Sequence, residues 1–390
     1  MIKRYFLPRP LHPFAWWGFA LAIAVAASTT TNPLFLLGTI AVVTLVTLAR
    51  RGDNPWAKGY KLYLLLGLFV VAFRVAFRVV FGGGDGPTVL FTLPEIPLPD
   101  FVRGIRLLGP VSLESLLYGL YDGLRLATMI ICVGAANSLA NPKRLLAALP
   151  SALYELGTIL IVSFSVFPQL GESFLRVMRV RKLRRRQSTM ADGGGRKTRR
   201  ERLGVVETII IPVLSDALER SIALAASMEV RGYGRSGVAT GRERLTSTAA
   251  GLGGVMLLAV WSYFLLARPG IGPSVLGVNL LEAALLVGGV AAVVAALRMA
   301  GRHVRRTRYR RDRWGVAETL TVACGLVMAL IVHYLRVIGD PTALNPSITP
   351  LVWPTLTFPL LAALVVAALP AFITPPPSLT AGRPTMEGVS

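Results

Sequence analysis

The sequence predicts an all-helical, polytopic membrane protein, and three observations support this fold class. The chain has 390 residues, of which 53% are hydrophobic and only 16% are charged, and its mean hydropathy is +0.59. A soluble domain of this length is less apolar and more charged. Apolar runs long enough for a helix to cross a bilayer recur along the chain. The net charge of +22 lies mostly between these runs, where basic residues orient a membrane protein.

Eight apolar segments are predicted to span the membrane. They cover about residues 13–30, 33–49, 60–81, 113–141, 248–267, 274–298, 315–339 and 352–372. A cleaved signal peptide is the alternative for the first run, but a second apolar run follows at once, after Asn32-Pro33. Cys132 and Cys324 lie inside apolar segments without metal-ligand spacing, so we interpret them as small buried hydrophobic residues.

Lys and Arg in the short loops set the orientation of these spans. Basic residues precede span one and follow spans two, four and six, whereas the loop at 28–32 has none. This alternation predicts that both termini are cytoplasmic and that the Gly- and Pro-rich loop at 82–112 is outside. In that loop, two stretches are candidates for a short hairpin, Val89-Leu90-Phe91 and Gly104 to Leu108. The alternative is an irregular loop that covers the outer ends of the spans. The tail at 373–390 is predicted to be disordered.

Residues 151–237 separate an N-terminal membrane region, 1–150, from a C-terminal one, 238–372. They contain two helix-like runs that are more polar than ordinary spans, and the segment joining them has many Lys and Arg residues against only Asp192 and Glu201. If both runs crossed the bilayer, this segment would lie outside, which the charge bias disfavours. Both runs are therefore predicted to form a cytoplasmic domain, at the interface or beneath the spans.

The second central run carries a polar stripe and ends in a helix stop. Asp216 and Arg220 are spaced i,i+4 on a surface otherwise rich in Ile, Leu, Val and Ala. The run closes with Glu229-Val230-Arg231-Gly232, and Gly232 suits the left-handed conformation that follows a helix. Arg231 is therefore predicted at the helix end. The alternative is an ordinary basic cap favoured by the helix dipole.

The first central run ends in a polybasic sequence. It passes through Pro168, Glu172 and Arg176 to Leu183-Arg184-Arg185. Taken alone, such a sequence is typical of a juxtamembrane segment that contacts anionic lipid.

As a pair, the two runs resemble the coupling helices of the transmembrane (T) component of energy-coupling factor (ECF) transporters, the EcfT/CbiQ family. Each coupling helix of that family ends in an Ala-Arg-Gly motif. The stretch from Ala217 to Gly234 resembles the second motif, with Val230 in place of Ala. The resemblance covers about residues 10 to 267.

The first motif is recovered less completely. Arg184 takes the place of the motif arginine, Leu183 replaces Ala and Arg185 replaces Gly. Which arginine of residues 184–186 makes the contact stays open.

The resemblance implies a function and a set of partners. Each helix end would dock in a groove of one of two ATP-binding cassette ATPase subunits. The implied contact residues are Arg184, Arg185, Glu229, Arg231 and Gly232, and the implied supporting residues are Glu172, Arg176, Asp216 and Arg220. The helices would pass ATP-driven motion to a substrate-binding membrane (S) subunit for vitamin or metal-ion uptake. The implied setting is the lipid of a prokaryotic cell membrane.

Two other functions remain open at this point. A membrane enzyme acting on a lipid-linked substrate is disfavoured, because no cluster of Asp, Glu or His falls at a span end. A basic membrane anchor that recruits cytoplasmic partners or nucleic acid is the other alternative. No Walker-type sequence is present, so the chain is predicted not to be an ATPase itself. We interpret it as a non-catalytic subunit without a cofactor, and without nucleic acid, because its basic residues lie between apolar runs, where charge orients a membrane protein. His12, His303 and His333 are scattered, so no metal site is predicted.

Charged residues inside two spans are further candidates. Arg74 and Arg78 are spaced i,i+4 in span three, and Asp122 and Arg125 could pair within span four. Charges inside a membrane are functional by default. The alternative for Arg78, near the end of its span, is that its side chain reaches the interface.

Overall fold

The computed structural model describes residues 8–52, 55–81, 86–94, 108–191, 199–232, 240–267, 274–275, 278–303 and 314–377. This part of the chain is mainly helical and confirms the all-helical fold class. Its α-helices are α1 Pro13–Ser28, α2 Pro33–Arg50, α3 Tyr60–Phe81, α4 Leu113–Leu139, α5 Pro142–Ala147, α6 Tyr154–Ala191, α7 Arg199–Val230, α8 Gly241–Ala267, α9 Leu280–Ala300, α10 Val316–Val337, α11 Pro341–Leu344, α12 Phe358–Ala368 and α13 Pro370–Ile373. Short 3-10 helices occupy Pro55–Gly59, Ser151–Leu153 and Gly301–His303.

Seven described helical segments are long and apolar enough to cross a membrane. Six of them correspond to predicted spans two to seven. The seventh, Leu156–Val180, is the apolar part of α6, which the charge bias had assigned to the cytoplasmic side. Predicted spans one and eight are the shorter helix α1 and the pair α12 and α13. The described chain therefore has seven candidate spans where eight were predicted, and six of the seven coincide with predicted spans. The polytopic architecture is the same.

Two short antiparallel strand pairs accompany the helices. Strand β1, Val89–Thr92, pairs with β2, Pro110–Ser112. Of the candidate partner Gly104 to Leu108, residues 104–107 lie outside the described part, and the described partner of β1 is Pro110–Ser112. Leu108 and Gly109 have φ angles of 63° and 114°, so the chain turns immediately before β2. Strands β3, Ser274–Val275, and β4, Val278–Asn279, form the second pair.

The described chain forms two compact units. Of the described residues, those within 1–145, 273–279 and 310–390 belong to the first unit, and those within 146–272 and 280–309 belong to the second. In the first unit, α1 packs against α4 and α10, and α2 packs against α4 and α12. Phe19, Phe35, Met328 and Leu360 are among its most deeply buried side chains. The C-terminal helices α10 and α12 are therefore part of the same core as α1 and α2.

Asn32 connects the start of α2 to the C-terminal region of the first unit. The side chain is fully buried, and its Oδ1 accepts hydrogen bonds from the backbone N–H groups of Leu34 (3.0 Å) and Phe35 (3.4 Å). This is the N-cap arrangement expected of Asn before a helix-initiating proline. Its Nδ2 donates to the carbonyl oxygens of Ala343 (2.8 Å) and Thr355 (2.9 Å). The amide of Asn32 thus caps α2 and also binds two separate points of the chain that precede α12.

A second connection in the first unit is ionic. Glu318, in the first turn of α10, has a side chain that is 1% exposed. It accepts hydrogen bonds from the Gly315 backbone N–H (3.0 Å) and from Arg9 Nη2 (3.2 Å). At the other end of α2, Arg50 Nη2 donates to the Ala371 carbonyl oxygen at 2.6 Å. Polar contacts therefore fix the segment before α1 to α10 and the end of α2 to α13.

The second unit contains two pairs of helices, α6 with α7 and α8 with α9. Helices α8 and α9 approach closely at Gly254 and Gly289, because a Cβ atom on Gly254 would lie 3.0 Å from the Gly289 carbonyl oxygen. Small residues at such crossings are typical of helix pairs in membranes. At the entrance to α6, the Ser151 hydroxyl donates to the Gly301 carbonyl oxygen at 3.1 Å. This bond connects the start of α6 to the end of α9.

Candidate functional site

Helices α6 and α7 meet at a polar contact. Ser173 on α6 is 4% exposed, and its hydroxyl donates a hydrogen bond to the Asp216 carboxylate on α7. Arg220 Nε, one turn further along α7, donates to Asp216 Oδ1 at 3.1 Å. Arg176, one turn beyond Ser173, contributes a second positive charge. A serine, a carboxylate and two arginines therefore form one network between the two helices.

This network lowers the pKa of Asp216 from its ordinary value of 3.8. The hydrogen bond from Ser173 has the largest effect, followed by the hydrogen bond from Arg220 and the positive charges of Arg220 and Arg176. Each of these stabilises the ionised carboxylate, whereas desolvation opposes it. Asp216 is therefore a carboxylate at neutral pH, and the contact between α6 and α7 is charge-assisted.

Helix α7 ends as the sequence predicted. Its last helical residue is Val230, and Gly232 follows with φ +74°. The Gly232 N–H donates to the Glu229 carbonyl oxygen at 2.9 Å, which closes the final turn. Val230 is 89% exposed, and Glu229 and Arg231 are exposed too. The described chain therefore leaves an apolar side chain, a carboxylate and a guanidinium uncovered at this helix end.

Helix α6 continues to Ala191 and includes the predicted first motif. Leu183 is 62% exposed, and Lys182 beside it is exposed. For Arg184 and Arg185 the structure describes the helical backbone, and their side chains lie outside the described part. The predicted contact arginines of α6 thus belong to a helix that extends well beyond its apolar segment.

Both helices contain an internal proline. Pro168 lies in α6 shortly before Ser173, and Pro212 lies in α7 shortly before Asp216. A proline inside a helix removes one i→i−4 hydrogen bond and weakens the helix locally. The weakened turns therefore lie next to the polar contact in both helices.

The apolar sides of both helices are uncovered within the described chain. The side chains exposed by 40% or more include Leu156, Ile159, Leu160, Phe164 and Phe167 on α6 and Ile210, Ile211, Leu214, Leu218 and Ile222 on α7. An apolar surface of this extent is covered by lipid or by another membrane protein.

The structure brings together some of the predicted site residues. Arg176, Asp216 and Arg220 share one network, and the predicted i,i+4 pair of Asp216 and Arg220 is present. Glu172 is exposed and forms no ion pair within the described part of the chain. Sequence reasoning missed Ser173, whose only signal is its position one turn before Arg176. Among the described residues, no three His, Cys, Asp or Glu side chains are grouped so that they could hold a metal ion.

A family model described as CbiQ, cobalt transport protein, matches residues 10–240. This range is more than half of the chain, contains α1 to α7, and ends where α8 begins. No curated protein matches the chain.

Proposed function

The chain belongs to the CbiQ family of cobalt transport proteins, and from that membership we propose that it is the coupling subunit of an ATP-driven ECF importer. The family and the apolar helices together make it a multi-pass membrane component of a transport system. The coupling role is the proposal. In that role the chain transmits movement of two ATP-binding cassette ATPases to a substrate-binding membrane subunit.

The observation that carries the proposal is the uncovered end of α7. Val230 and Arg231 stand exposed after a helix whose stop is fixed by Gly232. An exposed apolar residue beside a permanent cation suits docking of a helix end into a groove with carboxylates or helix-end carbonyl oxygens. Glu229 offers an acceptor at the same end. Arg184 or Arg185 supplies the corresponding cation at the α6 end.

In this proposal, the contact between α6 and α7 explains how movement of the ATPases passes along the two helices. The network of Ser173, Asp216 and Arg220 fastens α6 to α7 behind both docked ends. When the two ATPases close on ATP, the docked ends change their separation, and the helices move with them. Glu172 and Arg176 lie on the same stretch of α6 and support its polar side. The segment between the helices, rich in glycine and basic residues, lets the ends move separately.

The exposed apolar sides of α6 and α7 then form the surface for the substrate-binding membrane subunit. That subunit selects the cargo, a vitamin or a metal ion such as cobalt, so this chain needs no metal site of its own. In this proposal both termini and the two helix ends lie on the cytoplasmic side, which the basic loops favour, and the membrane is that of a prokaryotic cell, which the family resemblance implies. Lipid covers the apolar surface that no subunit occupies.

Affinity purification of the tagged full-length chain from its native membrane in mild detergent tests the proposal. We expect two ATPase subunits to co-purify with the wild-type chain. Recovery of the intact chain without any ATPase contradicts the proposal. Retention of a lipid-modifying activity, or of cytoplasmic proteins unrelated to ATPases, instead favours the enzyme or the anchor.

Single substitutions at the helix ends locate the contact. Arg231→Ala removes a charge-assisted contact, which typically costs about 2–5 kcal/mol of binding free energy, so we expect ATPase recovery and ATP-driven uptake to be lost. Arg184→Glu reverses the charge at the α6 end and is expected to act in the same direction. Arg242→Ala is the matched control, because Arg242 is exposed at the start of α8. Normal complex yield and uptake in both coupling variants overturn the assignment.

A further inference from the structure

Four charged residues form a cluster on α3 and α4, neither of which is a proposed coupling helix. Arg74 Nη1 on α3 lies 3.2 Å from Asp122 Oδ2, and Arg125 Nη2 lies 2.7 Å from Asp122 Oδ1. Arg78, one turn after Arg74, places its guanidinium carbon 4.4 Å from the centre of the Tyr118 ring. One carboxylate thus joins two guanidinium groups, and an aromatic ring supports a third.

Glycines on α4 make room for the arginine side chains. A Cβ atom on Gly119 would lie 2.9 Å from Arg78 Cγ, and one on Gly123 would lie 3.2 Å from Arg74 Cβ. The aliphatic parts of both arginines therefore cross α4 where it has no side chains. Packing of this kind fixes where the guanidinium groups emerge.

The cluster carries more positive charge than its carboxylate can neutralise. Three arginines face one aspartate, and within the described part of the chain no other carboxylate pairs with them. The side chains of Arg74 and Arg125 are 43% and 35% exposed, so their remaining N–H donors can reach a ligand. Arg125 Nε is buried and has no hydrogen-bond acceptor. The cluster therefore has two unneutralised charges and unsatisfied donors.

The depth of the cluster makes this excess unusual. Arg74 lies about 10 Å along α3 from its end at Phe81, and Arg125 lies about 18 Å along α4 from its start at Leu113. Both helices are long and apolar enough to cross a bilayer. Cations in excess of their carboxylate at such depth are costly and are normally retained for a ligand or a counter-ion.

We propose that this cluster binds a phosphate-bearing anion, which fits bidentate guanidinium donors better than a spherical ion does. The chemistry is common to an anionic lipid headgroup and to free phosphate. The inference stands on α3 and α4 alone and holds whether or not the coupling role is correct.

Binding to the purified, delipidated full-length chain in detergent tests the proposal. Native mass spectrometry counts the lipids retained during titration with phosphatidylglycerol or with phosphatidylcholine, and calorimetry measures inorganic phosphate in parallel. We expect phosphatidylglycerol or phosphate to bind, and phosphatidylcholine to bind at least about tenfold more weakly than phosphatidylglycerol. Saturation by phosphate at micromolar concentration identifies the free ion, and binding of phosphatidylglycerol alone identifies the lipid.

Two variants with opposite expected effects keep the proposal falsifiable. Arg125→Gln should weaken anion binding about tenfold. Asp122→Asn removes the competing carboxylate, so it should strengthen binding, which a misfolded protein cannot do. Arg336→Gln, an exposed arginine in the last turn of α10, is the control and should leave binding unchanged. Equal binding of both lipids without phosphate binding, or equal effects of Arg125→Gln and Arg336→Gln, overturns the proposal.

Discussion

Replacing Asn32 with alanine tests whether the C-terminal helices are integral to the membrane core. The substitution removes the α2 cap, which typically contributes about 1 kcal/mol to stability. It also removes the hydrogen bonds that Asn32 Nδ2 donates to the carbonyl oxygens of Ala343 (2.8 Å) and Thr355 (2.9 Å). The Ala343 acceptor is buried, and leaving it unsatisfied costs about 1–3 kcal/mol, whereas the bond to the exposed Thr355 contributes about 1 kcal/mol. With the cap, the whole change should destabilise the protein by about 3–5 kcal/mol.

Thermal unfolding in detergent, followed by intrinsic fluorescence, measures this effect. We expect Asn32→Ala to lower the Tm by several degrees, and Asn32→Ser to recover the cap but not the two bonds from Nδ2. Asn345→Ala is the matched control: its Oδ1 accepts from the Thr31 backbone N–H (3.2 Å) and hydroxyl (3.1 Å) at an exposed position. If Asn32→Ala lowers the Tm no more than Asn345→Ala does, the segment from α11 to α12 does not stabilise α2, and the reasoning is refuted.

Two further predictions concern the coupling helices. Gly232→Val places a β-branched residue at φ +74°, so it should displace the α7 end and reduce ATPase retention. Gly171→Ala is the control and should have no effect, because a Cβ atom at Gly171 meets no atom within 4 Å. Equal ATPase retention in both variants contradicts a role for the helix stop. Because the pKa of Asp216 is lowered in the folded state, its contribution to the contact between α6 and α7 is complete above the ordinary carboxyl pKa and is lost as the pH falls through the lowered value. Spin labels at Met178 and Leu218 should therefore move apart on acidification, and persistence of that change in Asp216→Asn would argue against Asp216 as its cause.

The helices were predictable where apolar runs and helix stops coincide. The run at 60–81 matches α3 residue for residue, and the run at 315–339 differs from α10 by only a few residues. Span eight was predicted to begin too early, because Pro354 disfavours a helix just before it and α12 begins only at Phe358, with Pro359 in its first turn. Span five was predicted too short, because the polar turns from Gly241 are helical without being apolar.

Contacts between distant segments were not predictable in the same way. The i,i+4 rule identified Asp216 and Arg220, but no local pattern shows that Ser173 donates to that carboxylate. Asn32 was recognisable as a helix start, whereas its bonds to Ala343 and Thr355 depend on packing across more than 300 positions of the chain. The sequence did not identify Pro110–Ser112 as the partner of strand β1 for a similar reason, since the turn at Leu108 and Gly109 requires backbone angles that hydropathy does not encode.

The positions of Pro168 and Pro212 beside the contact of Ser173 with Asp216 have a mechanical consequence for α6 and α7. Under the proposed mechanism the contact is the pivot, and the helices extend from it by about 16 Å to Arg184 and about 22 Å to Arg231. Each proline weakens its helix within little more than one helical turn of that pivot, on the side away from Arg184 and Arg231. Under the proposed mechanism, force applied at the tips therefore bends the pair at one level, and the apolar halves of both helices swing as stiff rods.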